Sequence, residues 1–120
     1  MFKIKRLFKS FKYAVKGLFL VMRDEQNFRV HMIFALLALG FSWFYQITQI
    51  EWIIVILLIS TVMLMEVVNS AIERVTDVLK PRINDFVMEI KDIMAAAVML
   101  ASVVAIIVGL IIFIPYLLGN

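Results

Sequence analysis

Residues 52–77 read WIIVILLISTVMLMEVVNSAIERVTD, a long apolar run that ends in polar side chains. No residue from Trp52 to Met65 is charged, and about 20 apolar residues are enough for a helix to cross the hydrocarbon core of a bilayer. Glu66 lies inside this predicted span. A charge at the centre of a membrane helix costs about 2.5–3.5 kcal/mol by insertion scales, so Glu66 is typical of a functional residue or of a paired charge.

Polar residues after Glu66 recur at helical spacing. At about 100° per residue, Asn69, Glu73 and Asp77 lie broadly on the same side of the helix as Glu66. We expect these four residues, here called the polar stripe, to carry the function. The alternative is structural: Glu66 pairs with Lys91 or Asn69 to hold helices together, and the remaining charges are ordinary interface residues.

The composition predicts an all-α integral membrane protein with a single domain, residues 1–120. The chain has 120 residues, 64% of them hydrophobic, which is too apolar for a soluble domain of this size. Two further stretches, 30–50 and 93–120, contain no Asp, Glu, Lys or Arg. We therefore predict three transmembrane helices, over about 28–46, 50–72 and 93–116.

The ends of these helices follow from local signals. The second helix is expected to continue to Leu79 and to stop at Pro81, because proline cannot extend a helix. Asn84 or Asp85 can then cap the third. A polar junction at 23–27 precedes the first span.

The N-terminal segment has the pattern of a helix lying in the membrane interface over about 2–22. Its apolar residues recur every three or four positions, and most of its lysines fall between them. A simple membrane anchor is the alternative.

The basic residues predict the topology. All 12 Lys and Arg lie within 3–29 and 74–91, so the N-terminus and the 73–92 loop are expected in the cytoplasm, and the first connector and the C-terminus outside. The net charge of +3 indicates contact with an anionic membrane face more than with nucleic acid. Cysteine is absent and there is a single histidine, so a structural zinc site is excluded. That histidine, His31, is interpreted as structural.

The ionisable groups gather on the predicted cytoplasmic side: Glu25, the polar stripe, and Lys91 with Asp92. Carboxylates with an amide and a lysine suit a hydrated Mg²⁺ and phosphate groups. A carboxylate in an apolar setting can also accept a proton. A channel or transporter subunit and a non-catalytic scaffold are the alternatives, although the outer halves of the spans offer no continuous polar path.

Several motifs together resemble the small prokaryotic diacylglycerol kinase family, which includes undecaprenol kinases. They are EVVNSAIERVTD at 66–77, KD at 91–92, EQNFRVH at 25–31 and KGL at 16–18. The resemblance implies a homotrimer whose subunits have three transmembrane helices and an amphipathic N-terminal helix. It also implies transfer of the γ-phosphate of ATP to a lipid hydroxyl at the cytoplasmic interface, with Mg²⁺.

The resemblance assigns roles by position. Glu66 resembles the catalytic base, and Glu25 and Glu73 the metal ligands. The expected cofactor-binding residues, for ATP and its metal, are Arg6, Tyr13, Glu25, Asn69, Glu73, Asp77, Lys91 and Asp92. Arg82 to Asn84 correspond to a short ATP-contacting stretch of the family, but their residue types differ from its usual pattern.

The lipid acceptor is expected to be undecaprenol, with diacylglycerol as the alternative. FRVH at 28–31 and IVGLIIFIP at 107–115 look more like undecaprenol kinases of Gram-positive bacteria. Ala95 also replaces a serine that is found in some diacylglycerol-specific members.

Overall fold

A computed structural model describes residues 3–79 and 84–119 of the chain. In this part it contains four helices: α1 (Ile4–Asp24), α2 (Gln26–Phe44), α3 (Gln49–Leu79) and α4 (Asn84–Leu117).

The all-α prediction is confirmed, and three helices have the properties expected of the predicted spans. Helices α2, α3 and α4 are each long and apolar enough to cross a membrane. The ends of α1 and α2 differ from the predicted ones by about two residues, which is the usual variation of helix ends. The predicted continuation of the second span to Leu79 is present, whereas the stop at Pro81 and the side chains of Arg82 to Asn84 lie outside the described residues.

The turn between α1 and α2 consists of one residue, Glu25. Its backbone is extended, with φ −109° and ψ 110°, so it ends one helix and begins the next. The guanidinium of Arg29 donates hydrogen bonds from Nη1 to the carbonyls of Met22 at 2.8 Å and Arg23 at 2.7 Å. These carbonyls belong to the last turn of α1, which lacks intrahelical donors. The predicted junction at 23–27 is therefore a tight corner that Arg29 holds together.

The opposite end of the bundle is closed by hydrogen bonds around Glu51. The Glu51 N–H donates to Thr48 Oγ1 at 3.2 Å, and the Thr48 N–H donates to Glu51 Oε1 at 3.0 Å, which together make a capping box at the start of α3. The hydroxyl of Tyr116 donates to the same carboxylate and ties the end of α4 to the start of α3. Glu51 thus has a structural role, because its hydrogen bonds join α3 to α4.

Helix α3 is the central element, because it packs against α1, α2 and α4. Helices α2 and α4 contact each other through the rings of Phe41 and Phe113, whose centroids lie 6.3 Å apart, and beside this contact a cavity of about 300 Å³ lies between the two helices over α3. Its lining is apolar except for His31 and Ser102; representative apolar members are Phe34, Ala35, Val62, Met63 and Ile106.

Candidate active site

Glu66 is almost completely buried, with 2% of its surface exposed. Two further polar residues of α3, Ser70 at 1% and Thr76 at 2%, are buried on the same stretch of helix. Burial of polar groups in an apolar helix is unfavourable unless they find partners. Thr76 donates from Oγ1 to the carbonyl of Glu73 on its own helix at 2.9 Å, whereas the neighbours of Ser70 and Glu66 come from the α1–α2 corner and from α2.

The corner brings Glu25 against α3. Ser70 donates a hydrogen bond from its hydroxyl to Glu25 Oε1 at 3.1 Å, although the two residues are far apart in the sequence. The predicted metal ligand Glu25 therefore lies beside the polar stripe. Ser70 was not a predicted site residue; its only sequence signal is its position one turn after Glu66.

Glu73, the second predicted metal ligand, completes a pair of carboxylates. Asn69 Nδ2 donates to Glu73 Oε1 at 3.2 Å, and the carboxyl groups of Glu73 and Glu25 are close enough to interact directly. Both also act electrostatically on Glu66. Three acidic side chains, two from α3 and one from the α1–α2 corner, thus lie near enough to act on one another.

The donor set of this cluster fits a hydrated Mg²⁺. The described residues contain no group of three or more His, Cys, Asp or Glu side chains that could by itself hold a metal ion. Mg²⁺ does not need one, because it commonly keeps several waters and binds one or two carboxylates together with substrate phosphates. Glu25 and Glu73, with the amide of Asn69 beside them, offer such a partial set of oxygen ligands.

Lys91 pairs with the last residue of the polar stripe. Its Nζ lies 2.7 Å from Asp77 Oδ1, which joins the first turns of α4 to the end of α3. The structural alternative in which Lys91 pairs with Glu66 is therefore wrong.

The remaining predicted site residues are exposed. Arg6 and Tyr13 lie on the surface of α1, and Asp92 on that of α4. Within the described ranges none of the three makes a hydrogen bond or ion pair with the polar stripe. Arg6, Tyr13 and Asp92 therefore lie apart from the other predicted site residues, which a single chain brings together: Glu25, Glu66, Asn69, Glu73, Asp77 and Lys91.

His31 is a neighbour of Glu66 that the sequence pattern did not predict. Its Nδ1 lies 3.0 Å from Glu66 Oε1, although the geometry of this contact is not that of a well-aligned hydrogen bond. The criterion that singled out Glu66, an ionisable group within a membrane span, also applies to His31 and is the signal that could have found it.

The end of α1 is fixed to α3 by ionic contacts of Asp24. Arg23 Nε lies 2.8 Å from Asp24 Oδ1, and Arg74 Nη2 lies 2.9 Å from Asp24 Oδ2. Hydrogen bonds from Arg23 first, and then from Arg74, hold the pKa of the Asp24 carboxyl well below its ordinary value. Since Asp24 precedes Glu25, the Arg74 contact also holds the corner near the polar stripe.

Known proteins resemble the chain over most of its length. The family model described as prokaryotic diacylglycerol kinase matches residues 12–113. An undecaprenol kinase of Bacillus subtilis (strain 168) is 35% identical over 96% of this chain and 94% of its own length. The diacylglycerol kinase of Escherichia coli (strain K12) is 32% identical over 85% of this chain and 84% of its own, and that of Haemophilus influenzae 32% over 92% and 94%. No solved structure matches the chain with statistical significance.

The Asp24 contacts predict a pH dependence. Because the folded-state pKa of Asp24 is depressed, its contribution to stability is fully present above the unfolded-state pKa of about 3.9. This contribution to stability is lost as the pH falls from the unfolded-state pKa through the folded-state pKa.

Arg23→Gln should raise the pKa of Asp24 more than Arg74→Gln does, since the Arg23 hydrogen bond has the larger effect. Carboxyl ¹³C shifts in detergent micelles measure this titration; Lys3→Gln is the control, and an Asp24 titration unchanged in both arginine variants would contradict the assignment.

Proposed function

Because the chain belongs to the prokaryotic diacylglycerol kinase family, we propose that it phosphorylates a lipid alcohol with Glu66 as the catalytic base. Membership makes it a lipid kinase, with ATP as the phosphate donor. The observation that carries the assignment of the base is the burial of Glu66, at 2% exposure, beside the carboxylates of Glu25 and Glu73. The channel and scaffold alternatives have no such support.

The proposed reaction needs one proton acceptor and a means of neutralising phosphate charge. Glu66 takes the proton of the acceptor hydroxyl as the oxygen forms its bond to the γ-phosphorus and the bond to the ADP oxygen breaks. Bound at Glu25 and Glu73, Mg²⁺ would neutralise part of the phosphate charge. Asn69 holds the Glu73 carboxylate through its hydrogen bond, which fixes one side of the metal position.

The surface residues are proposed to bind ATP. Lys91 supplies a positive charge beside Asp77, the last residue of the polar stripe, and this contact orients the lysine side chain. Asp92 follows Lys91 in α4, while Arg6 and Tyr13 are presented on the exposed surface of α1. We propose that these groups close around the nucleotide when it is bound.

Helix α1 is proposed to lie in the cytoplasmic membrane interface, on the side that also holds the site. Its large apolar side chains are exposed, as with Phe8 at 71% and Phe11 at 70%. Four lysines, Lys5, Lys9, Lys12 and Lys16, fall within an arc of about 60° beside this apolar face. Apolar and cationic faces of this kind suit the boundary between acyl chains and anionic headgroups. The orientation, with the N-terminus in the cytoplasm and the C-terminus outside, rests on the positive-inside distribution.

The working unit is proposed to be a homotrimer. Large apolar residues of α4 remain exposed in the single chain, among them Met99, Leu100, Ile106 and Ile111. The small residues Ala95 and Ala96 are exposed on the same helix, which permits close helix approach in a membrane. Since Glu25 and Glu73 are only half-buried in one chain, an adjacent protomer can help to enclose the bound nucleotide.

The acceptor is proposed to be a polyprenol, with undecaprenol preferred over diacylglycerol. The cavity between α2 and α4 begins beside His31 and is otherwise apolar apart from Ser102, which suits a hydrocarbon chain. A site made for diacylglycerol would hydrogen-bond its ester carbonyls, and Ala95, Ala96 and Ala97 place no hydroxyl on the turn after Asp92. Relatives of both names match the chain, so the acceptor requires a direct experiment.

Glu66→Gln should fold and assemble but lose phosphoryl transfer by about two orders of magnitude or more, because a glutamine cannot accept the hydroxyl proton. The measurement is phosphate incorporation into lipid with Mg-ATP in mixed micelles. Glu51→Gln is the matched control: the same substitution on the same helix, at the opposite end, should leave turnover unchanged. Near-normal turnover in folded Glu66→Gln would refute the base assignment.

Glu25→Ala and Glu73→Ala should each raise the Mg²⁺ concentration required for half-maximal activity. A metal with few protein ligands depends on each of them. Magnesium titrations of residual activity test this, with Glu89→Ala, an exposed carboxylate of α4, as the control. If both variants titrate like the unmodified protein, the two carboxylates are not metal ligands.

The acceptor is tested by competition. Purified protein is given Mg-ATP in micelles that hold undecaprenol and diacylglycerol at equal mole fraction, and both phosphorylated products are quantified. Undecaprenyl phosphate should form faster. Faster formation of phosphatidic acid would overturn the choice of acceptor while leaving the lipid kinase assignment intact.

A further inference from the structure

The contact between His31 and Glu66 joins two buried polar atoms that have no other partner. His31 Nδ1 and Glu66 Oε1 are 3.0 Å apart, and neither makes a well-aligned hydrogen bond with any described residue. Buried polar atoms in folded proteins are nearly always hydrogen-bonded, so an exception requires an explanation. At this distance a modest rotation of the imidazole aligns an Nδ1–H with the carboxylate.

His31 also has a second neighbour, the cavity between α2 and α4. The imidazole lines this cavity and keeps 24% of its side-chain surface exposed, whereas Glu66 keeps 2%. The other lining residues near it, such as Phe34, Ala35 and Val62, are apolar. A hydroxyl on a chain held in the cavity would therefore approach Glu66 past the ring of His31.

Charge explains why Glu66 needs such a neighbour. Glu25 and Glu73 act on Glu66 as like charges, and among the described residues no lysine or arginine forms an ion pair with it. An N–H donor at Oε1 offsets part of this repulsion and fixes the plane of the carboxylate. The second oxygen, Oε2, would then remain for the acceptor hydroxyl.

We infer that His31 is a positioning residue that orients the Glu66 carboxylate toward the acceptor hydroxyl. This inference rests on the proposed role of Glu66. The hydroxyl proton moves to Glu66, and His31 keeps its own proton throughout.

Two substitutions distinguish a role of Nδ1 from a role of Nε2. In His31→Asn the amide nitrogen occupies nearly the place of Nδ1, whereas in His31→Gln it reaches the place of Nε2. If Nδ1 positions Glu66, His31→Asn should keep kcat within about tenfold, while His31→Gln and His31→Phe lose roughly 10- to 100-fold, the range that small misplacements produce. The KM for ATP should stay unchanged in all three, because the nucleotide residues are elsewhere. Thermal unfolding and oligomer size in detergent identify any variant that misfolds. If His31→Phe misfolds, the two polar replacements, His31→Asn and His31→Gln, still test the inference.

A double-mutant cycle tests whether His31 acts through Glu66. In the Glu66→Gln background, His31→Phe should cause no further loss of single-turnover rate, because the positioned group is already gone. Additive losses in the double variant would overturn the positioning role alone. So would an unaltered kcat in folded His31→Phe and His31→Gln while Glu66→Gln is inactive. An active Glu66→Gln variant would instead overturn both the base assignment and this inference.

Discussion

The hydrogen bond between Ser70 and Glu25 is the contact on which the site depends. It holds the corner between α1 and α2 against the buried face of α3, and the Asp24–Arg74 ion pair supports the same contact one residue away. Arg29 makes the corner possible by satisfying the last carbonyls of α1. Without this placement, Glu25 would be a surface charge, and Ser70 would lose its partner.

The two ends of the bundle use their carboxylates differently. At the end remote from the polar stripe Glu51 accepts hydrogen bonds from Thr48 and Tyr116, so its role is to join helices. At the other end Glu25, Glu66 and Glu73 lie together, and their nearest described donors are a hydroxyl, an imidazole and an amide. A carboxylate with hydrogen-bond partners stabilises a fold, whereas several carboxylates placed close together suit a cation and the phosphates that it binds.

The position of Glu66 between an apolar and a polar region suits its proposed chemistry. On one side lies the apolar cavity between α2 and α4, and further along α3 lie Glu73 and the Asp77–Lys91 pair. Phosphoryl transfer needs positioning and charge neutralisation more than covalent chemistry. A short helical chain can therefore perform it, provided that the lipid hydroxyl and the nucleotide meet at this carboxylate.

The sequence by itself determined the helices and their approximate ends, because apolar length and the 3.6-residue period are local properties. It also placed Glu25, Glu66, Asn69 and Glu73 in one predicted site, through the motif match. Only the tertiary structure decided which side chains meet across helices: Ser70 with Glu25, Lys91 with Asp77, and His31 with Glu66. These contacts depend on the rotation and height of each helix relative to its neighbours. Packing of the whole bundle sets both, and no local period in the chain encodes them.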